Sequence, residues 1–346
     1  MDTPQPSPGA AAPDVPATGR RRVTTYFLGG TISMTGEGGH GAPPTLGADR
    51  LVAGPAAGPL VDVDLDAVDL AQVSSARITF DLLLEVLALA RRAVDEGASG
   101  VVVVQGTDTL EETAYVLDLL WDRPEPLVLT GAMRRPSAPG ADGPANLLAA
   151  ITVAATPACR DLGVLVVLDD VVHAARRAHK AHPSATDAFR SSAPGPLGEL
   201  LEGEVALLGT VLRLPALPTP ATVDVHVDLL TALLGDDPRR YAGAAATADG
   251  LVVAGLGAGH VAPEVADVLA EAAARLPVVL VSRTGTGSVH RRTYGGAGSE
   301  VDLLDRGLLH GGRLAPLRAR LLLTLLLAAG ASRDEVAATV AAHASG

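Results

Sequence analysis

From Val23 onward, short aliphatic and β-branched runs alternate with longer stretches in which apolar positions recur every three to four residues. The short runs cover residues 23–28, 100–104, 126–130 and 163–168, and the run at 100–104 is GVVVV, apolar throughout. Between them, residues 80–96, 110–120 and 146–155 carry the helical period. Unbroken apolar strands separated by amphipathic helices predict βαβ units, because a parallel sheet is covered by helices on both faces and has no solvent side to alternate toward. A second series follows, with strands at 251–254 and 277–281, a helix at 263–275 and helices to the end. The expected architecture is therefore α/β with two domains: a parallel-sheet N-terminal domain and a smaller α/β C-terminal domain.

Boundaries come from breaks in that alternation. Residues 1–20 are rich in Pro and Ala without an apolar period, and are expected to form a disordered arm. They lack the basic start and apolar run of a signal peptide. Residues 212–222 carry three prolines and are expected to link a first domain at 21–211 to a second at 223–346. The most apolar stretch, 321–329, is much shorter than the ~20 residues of a membrane span. A soluble, cytoplasmic protein is expected.

Composition narrows the function classes. Aromatics make up 2% of 346 residues, too few stacking platforms for a single-strand nucleic-acid binder. The net charge of −12 opposes contact with nucleic-acid phosphates and anionic membranes, so neither is an expected partner. Cys159 is the only cysteine, which excludes an internal disulfide and a Cys-built zinc site. Among 27 basic residues a single lysine, Lys180, stands against arginine everywhere else, and Asn146 is the only asparagine.

Ligands of open parallel sheets bind beyond the carboxyl ends of the strands, so those positions are where chemistry is expected. After the first strand come Gly29, Gly30 and Thr31; after the second, Gln105 to Glu112; after the third, Gly131 to Arg134. The fourth strand is followed by a polar loop containing Asp169, Asp170, Arg176 and Lys180. Thr109 and Glu112 have capping-box spacing, which predicts a helix start at Thr109 and leaves Thr107 and Asp108 in the turn before it. Among other signatures, no serine has the glycine spacing of a nucleophile elbow, and Walker A and HExxH motifs are absent. Residues 255–260 (GLGAGH) follow a strand but end in His260 where a dinucleotide fingerprint needs glycine. A threonine hydroxyl becomes a nucleophile only if a base takes its proton. Lysine can do this when its pKa is lowered; arginine cannot. Thr107, Lys180 and Asp108 would then form an analogue of a Ser-His-Asp triad. Position alone leaves Lys180 open between this role and that of a solvated surface charge.

The ordered motifs nevertheless resemble one family. Gly29-Gly30-Thr31-Ile32, then GTDTLEETAY at 106–115, Gly131-Ala132-Met133-Arg134, ADGPANL at 141–147, the Lys180 segment with GPLG at 195–198, and LAPLRAR at 314–320 are similar to the bacterial-type L-asparaginases and glutaminase-asparaginases. The resemblance implies hydrolysis of the L-asparagine side-chain amide, with L-glutamine as the other candidate substrate, no cofactor and no metal. Thr31 would attack the amide carbon. Thr107, activated by Lys180 and held by Asp108, would serve proton transfer. Asp108 would bind the substrate α-ammonium and Ser75 its α-carboxylate, with Thr107 also lining the substrate site. The family implies a homo-oligomer, dimer or tetramer, with sites at subunit contacts.

Departures from the family pattern fall outside the Thr–Lys–Asp set. The loop from Ser33 to Asp49 has no tyrosine where the family supplies one, while Gln105 replaces a histidine, Ala76 a glutamine and Ala258 an asparagine. These departures motivate an alternative: a catalytically weak relative that binds an amino acid or partner in the same cleft. Tyr26 is expected in the core and Tyr294 is a conceivable stand-in for the loop tyrosine. His179 and His182 are expected in a solvated or lid loop, Asn146 at a turn or helix start, Arg134 paired with a carboxylate, and Trp121 and Phe189 in the core.

Overall fold

The computed structural model describes residues 20–30, 32 and 63–345. Residues 1–19 of the arm expected at 1–20, Thr31, and the tyrosine-free loop lie outside the described residues. An eight-stranded sheet is built from β1 (Arg21–Phe27), β2 (Val63–Asp69), β3 (Gly100–Val104), β4 (Leu127–Thr130), β5 (Val164–Leu168), β6 (Val171–Ala174), β9 (Gly198–Leu201) and β10 (Glu204–Leu207). Its order is β10-β9-β6-β5-β4-β3-β1-β2. The five strands from β2 to β5 are parallel, as the unbroken apolar runs require. The other three extend the sheet antiparallel, which the sequence reading had not anticipated. These short strands mix apolar and charged residues, and only a tight reversal at Asp169–Asp170, both with positive φ, turns β5 back into β6.

Helices α1 (Phe80–Asp95), α2 (Leu110–Leu120) and α3 (Gly143–Ala155) cover this sheet. The period-two geometry of β3 is visible in its packing. Val101 and Val103 face Leu87 and Leu117, whereas Val102 and Val104 face Ala150 and Ile151. Trp121, Tyr26 and Phe189 are buried in the first of these cores, as expected.

A second sheet, β11-β12-β13-β14, comprises Val227–Thr231, Gly250–Gly255, Val278–Ser282 and Leu309–His310, all parallel. One face carries α4 (Pro238–Thr247), α5 (Pro263–Ala273) and α6 (Glu300–Asp305). The other receives α7 (Pro316–Ala328), followed by α8 (Arg333–Ala344). Leu321, Leu322 and Leu325 of α7 join the same core as Leu117 of α2 and Val252 of β12. An all-round apolar helix is what a position between two layers demands. So α7 sits between the sheets, and its first turn approaches the first sheet's functional edge. No helix among the described residues is long and apolar enough to cross a membrane.

Residues 208–226 contain no helix or strand. They are pinned rather than loose: Arg213 donates to the carbonyls of Trp121 and Arg123, and Leu217 N–H donates to Leu119 O. The GLGAGH segment closes on itself. The N–H groups of Leu256, Gly259 and His260 all bond within the turn, so they are not presented to a pyrophosphate.

Candidate active site

The carboxyl edge of β1, β3 and β4 is assembled by backbone-to-backbone approach. A Cβ on Gly30, whose φ is +95°, would overlap the main chain of Gly106, so the strand ends after β1 and β3 can touch only through glycine. Gly131, after β4, presses on the Gln105 carbonyl, and a Cβ there would also meet the Thr107 methyl at 3.2 Å. Thr107 is therefore held by its neighbours, and only 5% of its surface is exposed.

A 3₁₀ turn at Thr107–Thr109 follows β3, and α2 begins at Leu110. The helix starts where the sequence predicted, but the capping box does not form. Thr109 has ψ of 13° rather than an extended cap conformation, and its hydroxyl donates to the Ser75 carbonyl at 2.9 Å. That bond fastens the 3₁₀ turn Ser75–Arg77 against the Thr107–Thr109 turn. Ser75, itself buried, donates from Oγ to Asp108 Oδ2 at 3.3 Å.

Lys180 arrives from a separate two-stranded ribbon, β7 (Ala178–Lys180) with β8 (Phe189–Ser191), in which Lys180 pairs with Phe189. Its Nζ donates to Thr107 Oγ1 at 2.8 Å and to Asp108 Oδ1 at 2.6 Å. The lysine side chain is 13% exposed and the aspartate 74%, so the pair has a protein side and a cleft side. The hydrogen bond from Lys180 holds the Asp108 carboxyl below its usual range, outweighing partial burial. The three residues singled out after the strand ends are thus in one contact group, and Ser75 stands beside them.

Other expectations fare differently. Among the described residues, no carboxylate pairs with the Arg134 guanidinium, which donates to Gly140 O at 3.0 Å. The nearby Asp142 carboxylate is already occupied by the N–H groups of Met133 and Arg134 and by Asn146. Asn146 lies in the first turn of α3, as expected, but also bridges Gly131 O and Asp169 N, tying the ends of β4 and β5 together. His182 accepts from the N–H groups of Ser184 and Ala185 in a local turn. Tyr294 packs edge-on against His260 in the second unit, with ring centroids 4.8 Å apart, and makes no described contact with Thr107, Asp108 or Lys180. Sequence reasoning missed Glu111, whose Oε2 accepts the main-chain N–H of Lys180 at 3.1 Å. Its carboxyl is pushed up chiefly by burial.

A buried hydroxyl, a lysine and a carboxylate in this order have the chemistry a proton-transfer relay requires, a group that can exchange a proton with Thr107 and a carboxylate to orient it. Comparison with known proteins identifies the family. Residues 22–212 match the family described as "Asparaginase, N-terminal", and residues 226–339 match "Glutaminase/Asparaginase C-terminal domain". A probable L-asparaginase of Deinococcus radiodurans is 41% identical over 246 residues, 69% of this chain and 74% of that protein. The L-asparaginase of Bacillus licheniformis is 32% identical over 312 residues, 86% of this chain and 95% of its own length. Among solved structures, a probable cytoplasmic L-asparaginase from Campylobacter jejuni matches with a TM-score of 0.80 at 30% identity, covering 93% of this chain and 99% of that one. With both family halves present in order and the relay residues in contact, the chain belongs to the asparaginase family.

Proposed function

We propose that the protein is an L-asparaginase-type amidohydrolase that converts L-asparagine to L-aspartate and ammonia through a threonine acyl-enzyme, using Thr31, Thr107, Asp108, Lys180 and Ser75. The observation that carries this reading is the single lysine bridging Thr107 Oγ1 and Asp108 Oδ1. Thr31 Oγ attacks the side-chain amide carbon, its proton passes to the departing nitrogen, and ammonia leaves an ester. Thr107, its proton drawn by neutral Lys180, then activates the water that cleaves this ester. The exposed Asp108 carboxylate receives the substrate α-ammonium and Ser75 orients its α-carboxylate.

L-Glutamine carries the same α-substituents on a longer arm and is the second candidate substrate. The protein acts as a homo-oligomer, dimer or tetramer, in the cytoplasm; similarity to a relative described as cytoplasmic supports the location.

Ammonia release from L-asparagine tests the reading. Thr107→Ala and Lys180→Arg should each abolish it, because arginine keeps the charge but cannot lose its proton. Full turnover in Lys180→Arg would overturn the relay. Tight L-aspartate binding by calorimetry without any turnover would instead favour a binding-only relative.

A further inference from the structure

We propose that Glu111 and Arg318 are positioning residues that set where Lys180 stands, gripping the free edge of its strand at two points; the inference rests on the role given to Lys180 above. The β7–β8 ribbon belongs to neither large sheet. β7 is three residues long, and although Ala178 and Phe189 seat the ribbon on the main core, the lysine side chain is flexible, so the 2.8 Å bond to Thr107 depends on where the main chain of β7 is held.

Three side chains supply the anchors. Glu111 Oε2 accepts the N–H of Lys180 itself, and Arg318 Nη2 donates to the carbonyl of Ala178 at 2.7 Å. On the far strand, His173 Nδ1 meets Ser191 Oγ at 2.8 Å. The Glu111 bond is special because of where Glu111 sits. It lies in the first turn of α2, directly after the 3₁₀ turn that carries Thr107 and Asp108. One rigid helix start therefore holds both the partners of the lysine side chain and the acceptor for its backbone. The loop runs from Thr107 through Nζ, down the lysine to its N–H, to Glu111 and back along the helix, and it fixes the reach of Nζ.

Arg318 comes from the opposite half of the molecule, in the first turn of α7. It lies over the Tyr115 ring, with its guanidinium carbon 5.9 Å from the centroid, and Tyr115 is one turn beyond Glu111 on α2. Burial raises the Glu111 carboxyl, with a smaller push from Glu112, against the Lys180 N–H, Arg318 and His179, which favour its ionised form. Among the described residues, neither bonds to Ser75, Thr107 or Asp108, so both are placed to act through the main chain of β7.

The test uses the full chain with Glu111→Ala, Glu111→Gln, Arg318→Ala and Lys180→Met, measuring ammonia release, L-aspartate binding by calorimetry and thermal melting. Displacing a catalytic group by about 1 Å costs roughly a hundredfold in rate. Glu111→Ala should lower kcat by about 10- to 100-fold while KM and L-aspartate affinity stay within about threefold. Glu111→Gln should recover most of kcat, because an amide oxygen still accepts the Lys180 N–H. If Glu111→Ala does not fold, Arg318→Ala must show the same kcat-only loss. Normal kcat in the alanine variant, a KM rise equal to the kcat loss, or a glutamine variant as slow as alanine would each overturn the proposal. Full turnover in Lys180→Met would remove the catalytic role of Lys180 instead, an outcome read independently of Glu111.

Discussion

Removing the Asp118 carboxylate should destabilise the protein more than any change on its surface. Asp118 sits near the end of α2, with its side chain 3% exposed, and Arg176 precedes the Lys180 strand. Arg176 Nη2 and Nε reach Asp118 Oδ2 at 2.8 and 3.2 Å, while Oδ1 accepts Val164 N–H at 3.1 Å. Asp118→Ala therefore strips a buried ion pair of one partner and orphans the N–H that opens β5. Breaking a buried pair costs about 3–5 kcal/mol. Arg176 is 20% exposed and keeps a bond to the Leu212 carbonyl, so the lower end applies, about 3 kcal/mol. Asp118→Asn preserves volume and the acceptor for Val164 and should cost about half as much. Urea unfolding of both variants measures the difference, with Arg176→Ala closing a double-mutant cycle. A cost below about 1 kcal/mol for Asp118→Ala, or no coupling to Arg176, would refute the account.

Gly131→Ala should lose activity together with about 1–3 kcal/mol of stability, since the new methyl collides with the Gln105 carbonyl and crowds Thr107; denaturation and ammonia release check it. Burial lowers the His173 pKa to about 4, with lesser contributions from His179 and Arg190. The unfolded imidazole, titrating near 6.5, thus binds more protons in the window between, so stability falls as pH drops from about 6.5 to 4, by up to about 3 kcal/mol. Urea midpoints across that range should slope steeply for the wild type and less for His173→Gln; equal slopes would contradict the assignment. Asp108→Asn should weaken L-aspartate binding at least about tenfold by calorimetry, because the exposed carboxylate that receives the ammonium is gone.

Where a residue's environment is written in its own neighbourhood, the sequence was readable. GVVVV is a strand from Gly100 to Val104 and the helix from Leu110 to Leu120 ends where its period does. The antiparallel strands β6, β9 and β10 escaped because four residues of mixed polarity give no period to read. Thr109 was placed correctly but given the wrong bond: spacing offered a capping box, and the Ser75 carbonyl competed successfully for the hydroxyl. Lys180 was legible as an oddity of composition and through an ordered motif. Nothing in its spacing from Thr107 shows that the two meet. Glu111 and Arg318 were invisible for a different reason. They grip main-chain atoms, and a backbone N–H or carbonyl leaves no residue-type signature at the gripped position.

The reach of Arg318 across to the Ala178 carbonyl bears on recombination between relatives. The two family halves meet near residues 212 and 226, an inviting place to exchange one C-terminal half for another. A chimera cut there would inherit Ser75, Thr107, Asp108 and Lys180 intact and yet receive its outer clamp from a foreign donor. Its turnover would then track whether the donor helix offers a guanidinium at that spot. The natural unit of inheritance for this chemistry is the whole chain.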